Sequence, residues 1–151
     1  MQLTARSAGA ALGLLIAVSA TGATPPDFTG HWRQQRDSGA QRRLDIEQNG
    51  QTLQVTTTIT NSQGSRHIDV KYDIGGQETV YKGLDGDEFH SSVHWDNSAL
   101  VFQTVEHEGG KEIPETTVWT LSEDGKSLQV KRESIKSGET RASSATYARQ
   151  P

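Results

Sequence analysis

From residue 42 onward, apolar and polar side chains alternate in short runs. Leu44 and Ile46; Leu53, Val55 and Ile59; Ile68, Val70, Tyr72 and Ile74; and Leu128 and Val130 each fall on one side of such a run. The opposite sides read Gln54, Thr56, Thr58, then Asp69, Lys71, Asp73, then Gln129, Lys131, Glu133. A period of two is the mark of a strand with one face covered and one face wet. Between the runs stand turn signals: Asn49-Gly50, Asn61 to Gly64, Gly75-Gly76, Asp85-Gly86-Asp87, Asp96 to Ser98, Gly109-Gly110, Glu123 to Gly125 and Ser137-Gly138. Such pairs tolerate the positive φ that tight hairpins require. Ten strands are predicted, at 28–33, 42–48, 51–60, 66–74, 77–83, 88–95, 99–108, 111–122, 126–136 and 140–149, with no helix among them.

Short turns force neighbours in sequence to pair antiparallel, so the expected order is a meander. Ten one-sided strands without helical cover leave two exposed edges unless the sheet closes. The fold class expected is therefore all-β, an antiparallel up-and-down barrel with no helical lid. A two-sheet sandwich would need long crossing connections, and the turns are too closely spaced to supply them. A barrel of this strand number leaves a lumen. Following alternation through puts Thr57, Thr104, Glu106 and Arg132 on the inner side, residues suited to a partly wet cavity rather than a filled core.

Composition adds two things. The hydrophobic share is 32% of the whole chain, and part of it lies in Ala8 to Ala20, an apolar stretch behind Arg6 and ahead of small residues that offer cleavage after Ala20 or Ala23. That pattern predicts a cleaved secretion signal over 1–23 and a barrel domain over 24–151, placed outside the cell or in a periplasm. The run is too short to span a bilayer. With no cysteine, neither a lipid-modified amino terminus nor a disulfide is available. The formal net charge of −4 becomes one unit more negative once Arg6 is lost, which argues against a nucleic-acid groove or an anionic-membrane surface.

The first strand carries Phe28-Thr29-Gly30-His31-Trp32, with both rings and the glycine on one face, so that a bulky neighbour can approach the gap at Gly30. Gly30-x-Trp32 after Phe28 resembles the opening signature of the lipocalin-like superfamily, which includes the fatty-acid-binding proteins. Leu100-Val101-Phe102, Thr116-Thr117-Val118 and Thr146-Tyr147-Ala148-Arg149 are similar to the closing strands of those barrels. The resemblance implies the same architecture and a lipophilic guest. It departs in two places: Arg33 to Gln41 is too short for the two-helix lid of fatty-acid-binding proteins, and Ala145 stands where their carboxylate-holding arginine precedes the last-strand tyrosine, here Tyr147.

The expected lining comprises Trp32, Val55, Thr57, Tyr72, Tyr81 and Trp95 from the first part of the chain, and Phe102, Thr104, Trp119, Arg132 and Tyr147 from the second. Arg132 has two readings, an anion anchor for a ligand head group and a guanidinium stacked on Trp32 at the barrel floor. His90 and His94 share a face opposite Phe89, Val93 and Trp95, the outer one, and positions four apart on a strand lie about 13 Å apart, too far to share a metal. Glu106, Glu108 and Glu115 flank a hairpin and read as solvated carboxylates, and Asp85 to Glu88 as a turn without calcium-loop spacing. No phosphate loop, nucleophile elbow or zinc-protease helix occurs. The expectation is a secreted, non-catalytic barrel that holds a small lipophilic molecule, without cofactor, metal, nucleic acid or stable membrane insertion. The alternatives are a structural or protein-interaction barrel with a filled interior, a haem-binding barrel, and a catalytic barrel using His or Glu.

Overall fold

The computed structural model describes residues 24–151, so the predicted leader at 1–23 lies outside the described residues. Ten strands follow one another: β1 (Gly30–Gln34), β2 (Gln41–Asn49), β3 (Thr52–Asn61), β4 (Gly64–Asp73), β5 (Thr79–Lys82), β6 (Glu88–Asp96), β7 (Ala99–Glu108), β8 (Lys111–Leu121), β9 (Ser127–Lys136) and β10 (Glu139–Gln150). They form one antiparallel sheet in the order β4-β3-β2-β1-β10-β9-β8-β7-β6-β5. Every sequential pair is a hairpin except β4 and β5. The circle is completed where β1 joins β10, Trp32 opposite Arg149. Closure stops short at one seam: β4 and β5 are the ends of the hydrogen-bonded order. Across that seam run Thr79 Oγ1 to the Lys71 carbonyl and Arg66 Nη1 to the Leu84 carbonyl, both at 3.4 Å. The barrel is thus nearly closed, and the predicted strand of 77–83 shrinks to Thr79–Lys82 because the Gly75-Gly76 turn and the Gly83–Asp87 loop consume its ends.

The floor is solid. Phe28, Trp32, Leu53, Leu100 and Leu128 are fully buried, and Phe28 packs its ring 6.0 Å from Trp95 and 6.2 Å from Trp119. Phe28 lies just outside β1 rather than within it. The Gln48 side chain accepts its N–H at 3.0 Å, and the Trp32 indole N–H donates to its carbonyl at 2.9 Å. Gly30 has φ +145°, a conformation that side chains disfavour, and a β-carbon there would stand 2.8 Å from Arg149 Nη1. The approaching bulk anticipated at this gap is therefore Arg149. Its guanidinium lies 4.3 Å from the centre of the Trp32 ring and donates to the carbonyls of Thr29 (2.5 Å) and Gly125 (2.8 Å). Arg149 ties the first strand, the β8–β9 turn and the last strand together.

Candidate functional site

Above this floor the strands diverge around a cavity of about 460 Å³. That volume is in the range of small-molecule sites. One wall comes from β2, β3 and β4, where alternation turns Leu44, Val55, Ile59, Ile68 and Val70 inward. It is apolar. The other wall comes from β5 to β9 and carries oxygen. Ser91 Oγ and Thr104 Oγ1 are 2.8 Å apart and buried, and Ser91 Oγ donates to the Tyr81 hydroxyl at 3.4 Å. Tyr72 meets Tyr81 edge to face at 5.8 Å and Phe102 at 5.3 Å. Burial pushes the Tyr72 phenol well above the usual tyrosine range, with Tyr81 adding to the shift, so it stays a neutral hydroxyl.

Charges gather toward the mouth. Arg132 Nε lies 3.2 Å from Glu115 Oε1, and that oxygen also accepts from Thr117 Oγ1 at 3.1 Å. Glu115 is the more enclosed partner, with its side chain 17% exposed against 47% for Arg132. Tyr147 is buried; burial raises its phenol, while the guanidinium of Arg42 beside it, with Arg132 and Arg36, pulls the other way. Glu106 is raised first by desolvation and then by Asp85, Glu108, Asp87 and Glu115. Asp85, Asp87 and Glu106 bring ligand oxygens within 4.8 Å of one another, a grouping of three potential metal-ligand atoms among the described residues. Neither a histidine nor a buried unpaired donor joins it.

Of the expected lining, Val55, Thr57, Tyr72, Tyr81, Phe102, Thr104, Trp119, Arg132 and Tyr147 border the cavity. Trp32 and Trp95 do not. Trp32 is fully buried beneath it under Arg149, and Trp95 is spent on the Phe28 contact. Of the two readings of Arg132, stacking on Trp32 is overturned: Arg149 takes that place, because it pairs with Trp32 directly across the β1–β10 ladder. Arg132 instead enters the lumen. His90 faces outward, as expected, where Glu78 (3.2 Å) and Glu88 (3.0 Å) hold its two ring nitrogens. Sequence reasoning missed Arg42, Arg66, Thr117, Leu84 and Phe89 on the cavity wall. The signal existed for four of them: Arg42 is in phase with Leu44 and Ile46, Arg66 with Ile68 and Val70, Phe89 with Val93 and Trp95, and Thr117 with Trp119. Glu106, which alternation turns inward, and Glu115, read as a solvated carboxylate, also line the cavity.

Comparison with known proteins follows the same line as the geometry. No protein-family model matches the chain, and no curated protein matches it. Solved structures do. The REP1-NXSQ fatty acid transporter superposes with a TM-score of 0.62 at 13% identity, covering 82% of this chain and 96% of its own. Fatty-acid-binding protein 1 of Echinococcus granulosus gives 0.59 at 12%, covering 82% and 98%. The zebrafish ileal bile acid-binding protein complexed with cholic acid gives 0.59 at 16%, again covering 82% and 98%. At these identities the likeness is one of fold, and the chain has the ten-stranded barrel fold that the fatty-acid-binding proteins have.

Proposed function

We propose that this protein is an exported, non-catalytic container for a small lipophilic molecule, held in the lumen between the apolar wall of β2–β4 and the hydroxyl-bearing wall of β5–β9. The observation that carries the reading is the cavity of about 460 Å³ above a sealed floor. A barrel with a purely structural task gains stability by filling such a space, since each unfilled methyl-sized void costs about 1 kcal/mol. The lining supports a lipophilic guest with a few fixed polar contacts. Apolar residues from β2–β4 supply area, at roughly 25 cal/mol per Å² covered, and Tyr72, Tyr81 and Tyr147 supply orientation. Solved structures of like fold include a fatty acid transporter, a fatty-acid-binding protein and a bile acid-binding protein. Export rests on the leader of residues 1–23, with its basic start and small-residue cleavage sites.

The test is occupancy. Native mass spectrometry of the purified protein, with tryptophan fluorescence titrated against a panel of lipophiles, is expected to give a one-to-one adduct and a saturable change from Trp119 on the cavity wall. Thr57→Phe, which pushes a ring into the lumen without touching the floor, is expected to abolish binding and leave the melting temperature unchanged or raised. Saturable binding that survives the ring places the guest elsewhere and refutes the reading.

A further inference from the structure

Among the described residues, the lumen is lined by three guanidinium groups, Arg42, Arg66 and Arg132, and by three carboxylates, Asp85, Glu106 and Glu115. Formal charge on its wall therefore cancels. The deepest-set ion pair is Arg132 with Glu115, and Thr117, two residues along the same strand, holds the carboxylate from a second direction. Resting on the lumen-binding reading, we propose that Glu115 makes this cavity select an uncharged, hydroxyl-bearing lipophile over a carboxylate of the same chain length.

A guest carboxylate entering the lumen needs a free guanidinium. Arg132 is already bound by a tethered carboxylate, whose effective concentration is in the millimolar range or above. Displacing it leaves the Glu115 charge unpaired, 17% exposed and close to the newcomer. Arg42 sits beside the Tyr147 phenol. Arg66 stands at the mouth with its Nη1 on the Leu84 carbonyl, where water screens it. Opposite these, Asp85 and Glu106 face the same space, and Glu106 already resists ionisation there.

A hydroxyl head meets a different environment. It both donates and accepts, and the wall offers both functions through the Tyr81 and Thr104 hydroxyls, which the buried Ser91 hydroxyl links from behind. A neutral Tyr72 adds another donor. No buried charge is uncovered when it binds, so the head displaces water rather than an ion-pair partner.

The experiment is isothermal titration at pH 7.5, below micelle-forming concentrations, with three guests of one chain length: dodecanoate, 1-monododecanoylglycerol and dodecyltrimethylammonium. The glycerol ester is expected to bind at least tenfold more tightly than dodecanoate and than the cationic guest. Glu115→Gln is expected to bring the ester-to-acid ratio below threefold by tightening dodecanoate, with circular dichroism confirming an intact barrel. Arg132→Met, which leaves Glu115 without its partner, is expected to weaken dodecanoate further and so widen the ester-to-acid ratio, and a ratio narrowed by this variant overturns the ion pair as the source of the selectivity. Equal or tighter binding of dodecanoate or of the ammonium guest by the parent protein overturns the inference and leaves the lumen reading standing. An unchanged ratio in the Glu115→Gln variant overturns Glu115 as its cause. Failure of all three guests to bind overturns both readings together.

Discussion

Replacing Arg149 by methionine removes the tie across the floor while keeping an aliphatic stem over Trp32. The guanidinium stands 4.3 Å from the indole centre, an interaction worth about 0.5–1 kcal/mol at an accessible site. Its two short hydrogen bonds go to the carbonyls of Thr29 and Gly125. Charged donors can contribute about 1.5–3 kcal/mol each, but these are exposed to water, so about 0.5–1 kcal/mol each is the appropriate scale. The expected loss is about 2 kcal/mol. For a domain of this size that lowers the melting temperature by roughly 4–8 °C. Urea unfolding followed by tryptophan fluorescence measures it directly, and the slope should stay that of the parent protein, since the buried surface is unchanged. Arg149→Lys should recover less than half of the loss, because a point charge cannot reach both carbonyls and the ring at once. A methionine variant within about 0.5 kcal/mol of the parent, below the scale of even one such contact, or a lysine variant equal to it, would show that the floor is held by the packing of Phe28 and Trp32 alone.

Further expectations follow from the same geometry. Gly30→Ala should destabilise by about 1–3 kcal/mol through its φ of +145°, and less in the Arg149→Met background, where the 2.8 Å clash with Nη1 is gone; equal costs in both backgrounds would rule the clash out. Leu128→Ala, at a fully buried position in the floor, should cost about 2–5 kcal/mol in urea unfolding, and a cost below about 1 kcal/mol would contradict a close-packed base. The Glu106 carboxyl is raised by folding, so the stability it contributes is present below the ordinary glutamate range and lost as pH rises through the elevated value. Glu106→Gln should therefore raise the unfolding midpoint at pH 7.5 and not at pH 4, and the reverse pattern would contradict the assigned direction. His90 is raised by Glu88 and then Glu78, so its contribution is full below the ordinary histidine range and lost as pH climbs past the elevated value. His90→Ala should then lower the midpoint at pH 5.5 more than at pH 9, which the same titration checks.

The strands were legible because alternation and turn residues agree almost everywhere. Leu44 and Ile46 predict the inner face of β2 as surely as Asn49-Gly50 predicts its end. What alternation also carried, but apolar patterning conceals, is the position of Arg42 and Arg66: each continues an inward series whose other members are aliphatic, so a guanidinium there marks the mouth of a cavity. The exchange of Arg132 for Arg149 was not legible. Which arginine crosses Trp32 depends on the register in which β10 meets β1, a pairing between the two ends of the chain that no local signal fixes. Trp32 and Trp95 fall outside the lumen for a related reason: inward phase says which side a ring faces and nothing about its height along the barrel.

The seam between β4 and β5 has a mechanical consequence. Everywhere else, parting two neighbours means rupturing a run of amide bonds at once, whereas there, among the described residues, two 3.4 Å hydrogen bonds and the Tyr72–Tyr81 ring contact take the place of a backbone ladder. The short strand β5 is anchored through Thr79–Lys82 on one flank alone, so it can swing as a flap on β6 while the other nine strands keep their shape. Amide protons on β5 should therefore exchange with solvent well before those of β7 and β8, and the molecule can breathe on that side at a small fraction of the free energy needed to unfold it.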